Sequence, residues 1–176
     1  MSPSIAVHNR QRAVRIDIAA LQVFAERALE LSLKTRARRS SGSQASSLTR
    51  HAGILPAKQK ATALRAVGRD RQDACPPLPH IDVILLSDSR MSNLHHRFLQ
   101  IDGPTDVMTF QHGEIFISVE TARREASAYR TSLEEEIQLY LVHGLLHLCG
   151  FDDKNPWSAK TMRAAQVRIA RRATKV

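Results

Sequence analysis

Hydrophobic and polar positions follow helical and strand periods along this chain, with one long interval where neither holds. Leu21, Phe24, Ala25, Ala28 and Leu29 recur at the i, i+3, i+4, i+7, i+8 spacing of an amphipathic helix over residues 17–34, with Asp17 as its N-cap. Before it, "SIAVHN" reads as a short strand. The apolar, β-branched run "HIDVILLSD", residues 80–88, predicts a buried strand. Met91, Leu94, His95 and Phe98 return to helical spacing, with Ser87 or Ser89 as cap. "VMTF" and "EIFIS", joined by "QHG", predict a hairpin. Ser118 caps a helix whose inner face is Val119, Ala122, Ala126 and Tyr129. Thr131 to Glu134 read as the capping box of the next helix. Asn155-Pro156 opens a last helix that runs to about Arg172. The predicted fold is α+β: a small mixed sheet of about four strands packed with about five helices.

The interval without a period is 37–79, rich in Arg, Ser and Ala. It predicts a basic, low-complexity insertion, mostly disordered, with a short helix over Gln59 to Val67. The chain thus divides into 1–36 (strand and helix of the core), 37–79 (insertion) and 80–176 (the rest of the core). Of the net charge of +9, six units fall in 37–79, which holds eight Lys/Arg and two Asp. The bulk charge points to an anionic partner, nucleic acid first, but it says little about the folded part. No apolar run is long enough to span a membrane, and the first twenty residues lack the apolar core of a secretory signal. Cys75 and Cys149 lie far apart and form no disulfide framework, which fits a cytoplasmic location.

The candidate chemistry lies in "HGLLHLCGFDD", residues 143–153. His143 and His147 stand one turn apart and about 40° around the helix axis, so both rings can face one ion. The helix carrying them is apolar all round, which predicts burial. Gly150 is placed to end it in a left-handed conformation. Asp153 can then return to the histidines, with Asp152 as a competitor; Cys149 reads as helix end or core. Two imidazoles and a carboxylate suit Zn²⁺ with a fourth position open, one ion per chain, or another divalent transition metal. The glutamate of H-E-x-x-H is replaced by Gly144, expected near the side opposite the histidines, where it would let a neighbour approach closely.

These residues, with "GPTDVMTF" at 103–110 and "GEIFIS" at 113–118, resemble the signature segments of the bacterial YbeY family of rRNA maturation endoribonucleases. "HNRQ", Met162 and Gln166 also fit. The resemblance spans 1–36 loosely and 80–170 well, and leaves out 37–79. It implies a zincin-like metal helix, with His143, His147 and Asp153 as ligands. The implied activity is a metal-dependent, single-strand-specific endoribonuclease in small-subunit rRNA 3′-end maturation and ribosome quality control. The implied partners are rRNA and the small ribosomal subunit, with neither membrane nor DNA.

Two positions depart from that pattern. The family's third ligand is commonly His, and here it is Asp153. The family's arginine before P-T-D is Leu99 here, and its asparagine is His95. Arg97 is the remaining candidate cation, about 200° around the helix from Leu99. Thr105, Asp106, Arg97 and His112 are expected to contact substrate, with His95 and His96 as further phosphate candidates. Gly144 argues against a conventional metalloprotease, because peptide hydrolysis at zinc leans on the missing glutamate. Phosphodiester cleavage stays open because RNA brings its own 2′-hydroxyl. The alternatives are a non-catalytic ribosome-assembly factor of this fold and a metal-dependent hydrolase of another substrate.

Overall fold

A computed structural model describes residues 3–42 and 78–175. Its elements run β1 (Ser4–Asn9), α1 (Ile18–Gly42), β2 (His80–Leu86), α2 (Asp88–Leu99), β3 (Val107–Phe110), β4 (Glu114–Ser118), α3 (Val119–Tyr129), α4 (Leu133–Leu148) and α5 (Pro156–Thr174). This is the α+β arrangement expected from the periodicities. The sheet order is β1-β2-β4-β3. β1 and β4 both pair with β2 in parallel, and β3 pairs with β4 antiparallel. Parallel pairing of β1 with β2 needs a crossover, and α1 lies within it. Gly113 allows the tight β3–β4 connection: its φ is +111°, and a Cβ there would lie 2.7 Å from the His80 carbonyl oxygen.

α1 outlasts its apolar pattern. The spacing predicts an end near Lys34, yet the helix continues to Gly42. Thr35 hydrogen-bonds back to the Leu31 carbonyl, and the Arg39 guanidinium lies 4.8 Å from the centre of the Phe151 ring. A cation over an aromatic face ties this last part of the helix to Phe151 where apolar periodicity has stopped. The expected helix over Gln59 to Val67, and the expected disorder of most of the insertion, fall outside the described residues.

α4 is the central rod. It packs against α1, α3, α5, β3 and β4, and Ile137, Leu141, Val142, Leu145 and Leu146 are buried along it. Its capping box lies one residue later than expected: Ser132 accepts from Glu135 N, and the Glu135 carboxylate accepts from Ser132 N. Glu134 cannot take this part because the box needs three residues after the cap. On α3, Tyr129 is exposed rather than inward, since the helix ends there in a left-handed Arg130. Phe98 on α2 is likewise exposed, and Met91 alone is buried on that helix. Among the described residues no helix is long and apolar enough to cross a membrane.

Gly144 does admit a close neighbour, but not opposite the histidines. One residue advances a helix by about 100°, so Gly144 flanks His143 and faces the sheet. A Cβ there would lie 2.7 Å from Ile115 Cγ2 and 3.0 Å from Thr109 Oγ1. Ile115 is wholly buried in β4 and cannot swing away. Gly144→Ala gains about 1 kcal/mol of helix propensity. Overpacking costs about 1–3 kcal/mol. The net expectation is a less stable protein with a lowered melting temperature, measured by thermal denaturation.

Candidate metal centre

The last turn of α4 decides the geometry. Gly150 N donates to His147 O and Phe151 N to Leu146 O, with Gly150 at φ +81°. This is a Schellman ending, and glycine takes the left-handed position without a Cβ penalty. The reversal buries Phe151 and turns its carbonyl back toward the helix, where it lies 3.1 Å from His147 Nδ1. His147 Nδ1–H donates to that carbonyl, so Nε2 is left with its lone pair exposed.

His147 Nε2 lies 3.0 Å from His143 Nε2, and the Asp153 carboxylate lies 3.8 Å from His143 Nε2. One donor atom from each of the three side chains falls within 4.8 Å of the others. Zinc–nitrogen bonds of about 2.0–2.1 Å in a tetrahedral array place two nitrogens slightly over 3 Å apart. The spacing and chemistry of these donors therefore fit a divalent transition metal. Asp152, the competing carboxylate, turns away; its Oδ1 accepts from Lys154 N at 3.3 Å. Cys149 is the buried helix cap.

His143 is held below the usual histidine range. Burial is the largest cause, and the neighbouring His147 adds to it. Asp153, Asp106 and a hydrogen bond that the ring donates to the Gln166 side chain pull the other way and do not overcome these. Gln166 on α5 also donates to the Leu139 carbonyl at 3.0 Å, so its amide is fixed against α4. Gln166 enters the sequence reading only as part of a family pattern. Its place behind His143 depends on how α5 packs on α4, which one helix's periodicity does not carry.

A groove of about 450 Å³ opens over the two histidines. His95, Phe98, Leu99, Thr105, the strand β3 and Gln111 line the rest of it. The sequence-predicted contacts divide. Thr105 is on the lining, and its hydroxyl donates to Asp106 Oδ1 at 3.0 Å. Asp106 serves the turn, accepting from Val107 N at 2.9 Å. His95 lines the groove and binds the Gly103 carbonyl. Leu99, at the family's arginine position, faces the groove. Arg97 does not line it; its guanidinium lies 5.7 Å from the Phe98 ring centre. His96 pairs with Asp102 on the surface, and His112 pairs with Glu114 at 2.7 Å beside the Phe110 ring.

A small α+β protein with a His-His-Asp donor set beside an open groove is thus the class that fold and site define. The family model for Endoribonuclease YbeY matches residues 49–174, and the chain belongs to that family. The match takes in 49–79, part of the interval the resemblance was expected to leave out, and omits residues 1–48, although β1 is an integral strand of the sheet. The chain is similar to the Endoribonuclease YbeY of Bacteroides fragilis, with 37% identity over 93 residues, 49% of this chain and 67% of the relative. It is 36% identical to that of Gluconobacter oxydans over 115 residues, 62% of this chain and 68% of the relative. The corresponding match in Parabacteroides distasonis is 36% over 89 residues, 47% of this chain and 63% of the relative. The solution structure of TM1509 from Thermotoga maritima shares the fold. Its TM-score is 0.56 at 20% identity, covering 96% of this chain and 88% of that one.

The depressed His143 gives a signed pH dependence for the metal-free protein. In the unfolded chain histidine takes up a proton near pH 6.5, while folded His143 stays neutral. Stability contributed by neutral His143 is therefore lost as pH falls below about 6.5, and the loss levels off below the folded value. Urea denaturation between neutral and mildly acid pH measures it, and His143→Asn removes this component of the slope.

Proposed function

We propose that the chain is a metal-dependent, single-strand-specific endoribonuclease of the cytoplasm. In this reading it acts on the small-subunit rRNA 3′ end and in ribosome quality control. His143, His147 and Asp153 hold the ion, zinc in the first instance. The observation that carries this reading is the convergence of those three donors beside an open groove that the two histidines line. The endoribonuclease names of its relatives support RNA as the substrate.

A divalent ion bound there supplies charge neutralisation at phosphoryl oxygens and acidifies water. The chain's own residues do the rest. Phe151 and Gln166 fix the two imidazoles. Gly144 provides no proton carrier, and RNA compensates because a 2′-hydroxyl adjoins each of its phosphates. Thr105, with its hydrogen given to Asp106, turns an acceptor toward the groove. Phe98 and Leu99 offer an apolar wall about half exposed, suited to an unpaired base rather than a duplex. Arg97 and His112 lie outside the lining and serve the flanking backbone.

Leu99 favours a second reading, a ribosome-assembly factor of this fold that binds rRNA without cutting it. The missing glutamate weighs against a peptide hydrolase.

Metal analysis and an RNA assay separate these readings. Purified protein is expected to carry about one zinc or similar ion per chain, lost in His147→Ala. Wild type should cut single-stranded RNA and spare duplex, and His147→Ala should be at least about a hundredfold slower. Metal-free wild type would remove the reading, and equal cutting by both proteins would assign the activity to a contaminant. Binding without cleavage would select the assembly factor. Phe98→Ala should raise KM for single strands by about 1–3 kcal/mol of lost stacking, with kcat less affected, measured by initial rates.

A further inference from the structure

β3 is the last strand of the sheet, so one of its edges has no neighbouring strand among the described residues. Antiparallel hydrogen bonding alternates along a strand. Ser118 N donates to Asp106 O at 2.9 Å, and Gly113 N closes the turn on Phe110 O at 3.0 Å. With the register running from Val107↔Ile117 to Phe110↔Glu114, positions 106, 108 and 110 bond toward β4. Val107 and Thr109 therefore turn their backbone groups to the free edge. All four residues of β3 line the groove, together with His143 and His147. Thr109 also abuts the turn of α4 that carries His143, since its Oγ1 lies 3.0 Å from where a Gly144 Cβ would be.

The outward groups are not equivalent. Asp106 Oδ1 already accepts from Val107 N at 2.9 Å. The Thr109 N–H has no such partner among the described residues, and it lies between two outward carbonyls, its own and that of Val107. A half-buried donor and acceptor gain most from a ligand that satisfies both. A phosphate offers acceptors only and would face the carbonyls. An extended peptide needs free N–H groups at alternate residues, and the claimed Val107 N–H interrupts that ladder. An unpaired nucleobase carries a donor and an acceptor side by side on its Watson–Crick edge, which one N–H and one flanking carbonyl match. Phe98 and Leu99, about half exposed, line the same groove and offer apolar surface to the face of that base.

We propose that the free edge of β3 is a base-reading subsite, where the Thr109 N–H and a flanking carbonyl pair with the Watson–Crick edge of one unpaired base beside the His-His-Asp centre. The proposal rests on the reading of RNA as the substrate, and it gives that reading a physical cause for preferring single strands. In a duplex the same base edge is already occupied by its complement. The contacts come from the backbone, so they survive side-chain substitution along β3.

The test measures binding by fluorescence anisotropy with short single strands that are 2′-O-methylated throughout, so that cleavage through the 2′-hydroxyl plays no part. The probes are oligouridine and oligoadenosine. Each is compared with a blocked form: uridine methylated on its ring N–H, adenosine dimethylated on its exocyclic amine. Blocking removes the Watson–Crick edge and leaves the charge and the phosphates unchanged. For whichever parent binds more tightly, the blocked form should bind at least about fivefold more weakly. Thr109→Pro removes the N–H at a position that does not bond β4, which an edge strand tolerates. It should bring the parent strand down to the level of the blocked one. Thr109→Val removes only the hydroxyl and should keep the full difference. Should the proline impair folding, as judged by circular dichroism, NMR of the wild type carries the same test. The Thr109 amide resonance should then shift with the parent strand and far less with the blocked one at equal saturation. Equal binding of parent and blocked strands overturns the proposal. So does a difference that survives in folded Thr109→Pro, or one lost in Thr109→Val. A peptide of alternating valine and threonine that shifts the Thr109 amide, where neither strand does, overturns it in favour of a protein partner. Wild type that shows the expected pattern yet never cuts unmodified RNA defeats the nuclease reading and leaves this one standing, and cutting without the pattern does the reverse.

Discussion

The bond between His147 and the Phe151 carbonyl holds the candidate centre together. One reversal of the chain does three jobs there. It closes α4 with backbone hydrogen bonds, turns a carbonyl onto the ring nitrogen facing away from the ion position, and swings Asp153 back toward the histidines. A helix alone aligns two imidazoles but leaves their rings free to choose a tautomer. The turn fixes that choice for His147, while Gln166 steadies His143 from α5. Because α4 is buried among three helices and two strands, neither ring can relax without disturbing the core.

Much of this was legible in the chain itself, and the reasons for the misses are physical. Two histidines four apart on an apolar stretch, then a glycine and a carboxylate, describe the centre because helix period and the left-handed preference of glycine are local properties. The sheet was equally readable from β-branched runs. Local reasoning failed where a second element decides the outcome. Phe98 and Tyr129 sit at helical spacing yet face solvent, since apolar character does not say whether another surface arrives to cover it. The part of α1 beyond its apolar pattern carries Arg39, which meets a ring more than a hundred residues away. Gly144 was read as a close approach, correctly in kind, but the neighbour comes from the sheet beside His143.

The groove is short of fixed positive charge. Leu99 takes the place on its wall where the family pattern has arginine, and Arg97 lies off the lining. Under the proposed function, a phosphate entering it would meet an ion held by His143, His147 and Asp153 as the main source of compensation, with cations of the surrounding surface acting at longer range. Such long-range attraction is screened by salt over about 10 Å. The protein is therefore expected to sense ionic strength more sharply than a site with a built-in arginine.

Asp153 is half exposed and reaches its position through backbone geometry, not through packing of its own side chain. The third donor is for that reason modular. An imidazole or a carboxylate can occupy the same station without re-forming the helix that presents the other two, so a single codon change retunes the hardness and net charge of the coordination set while the architecture stays untouched.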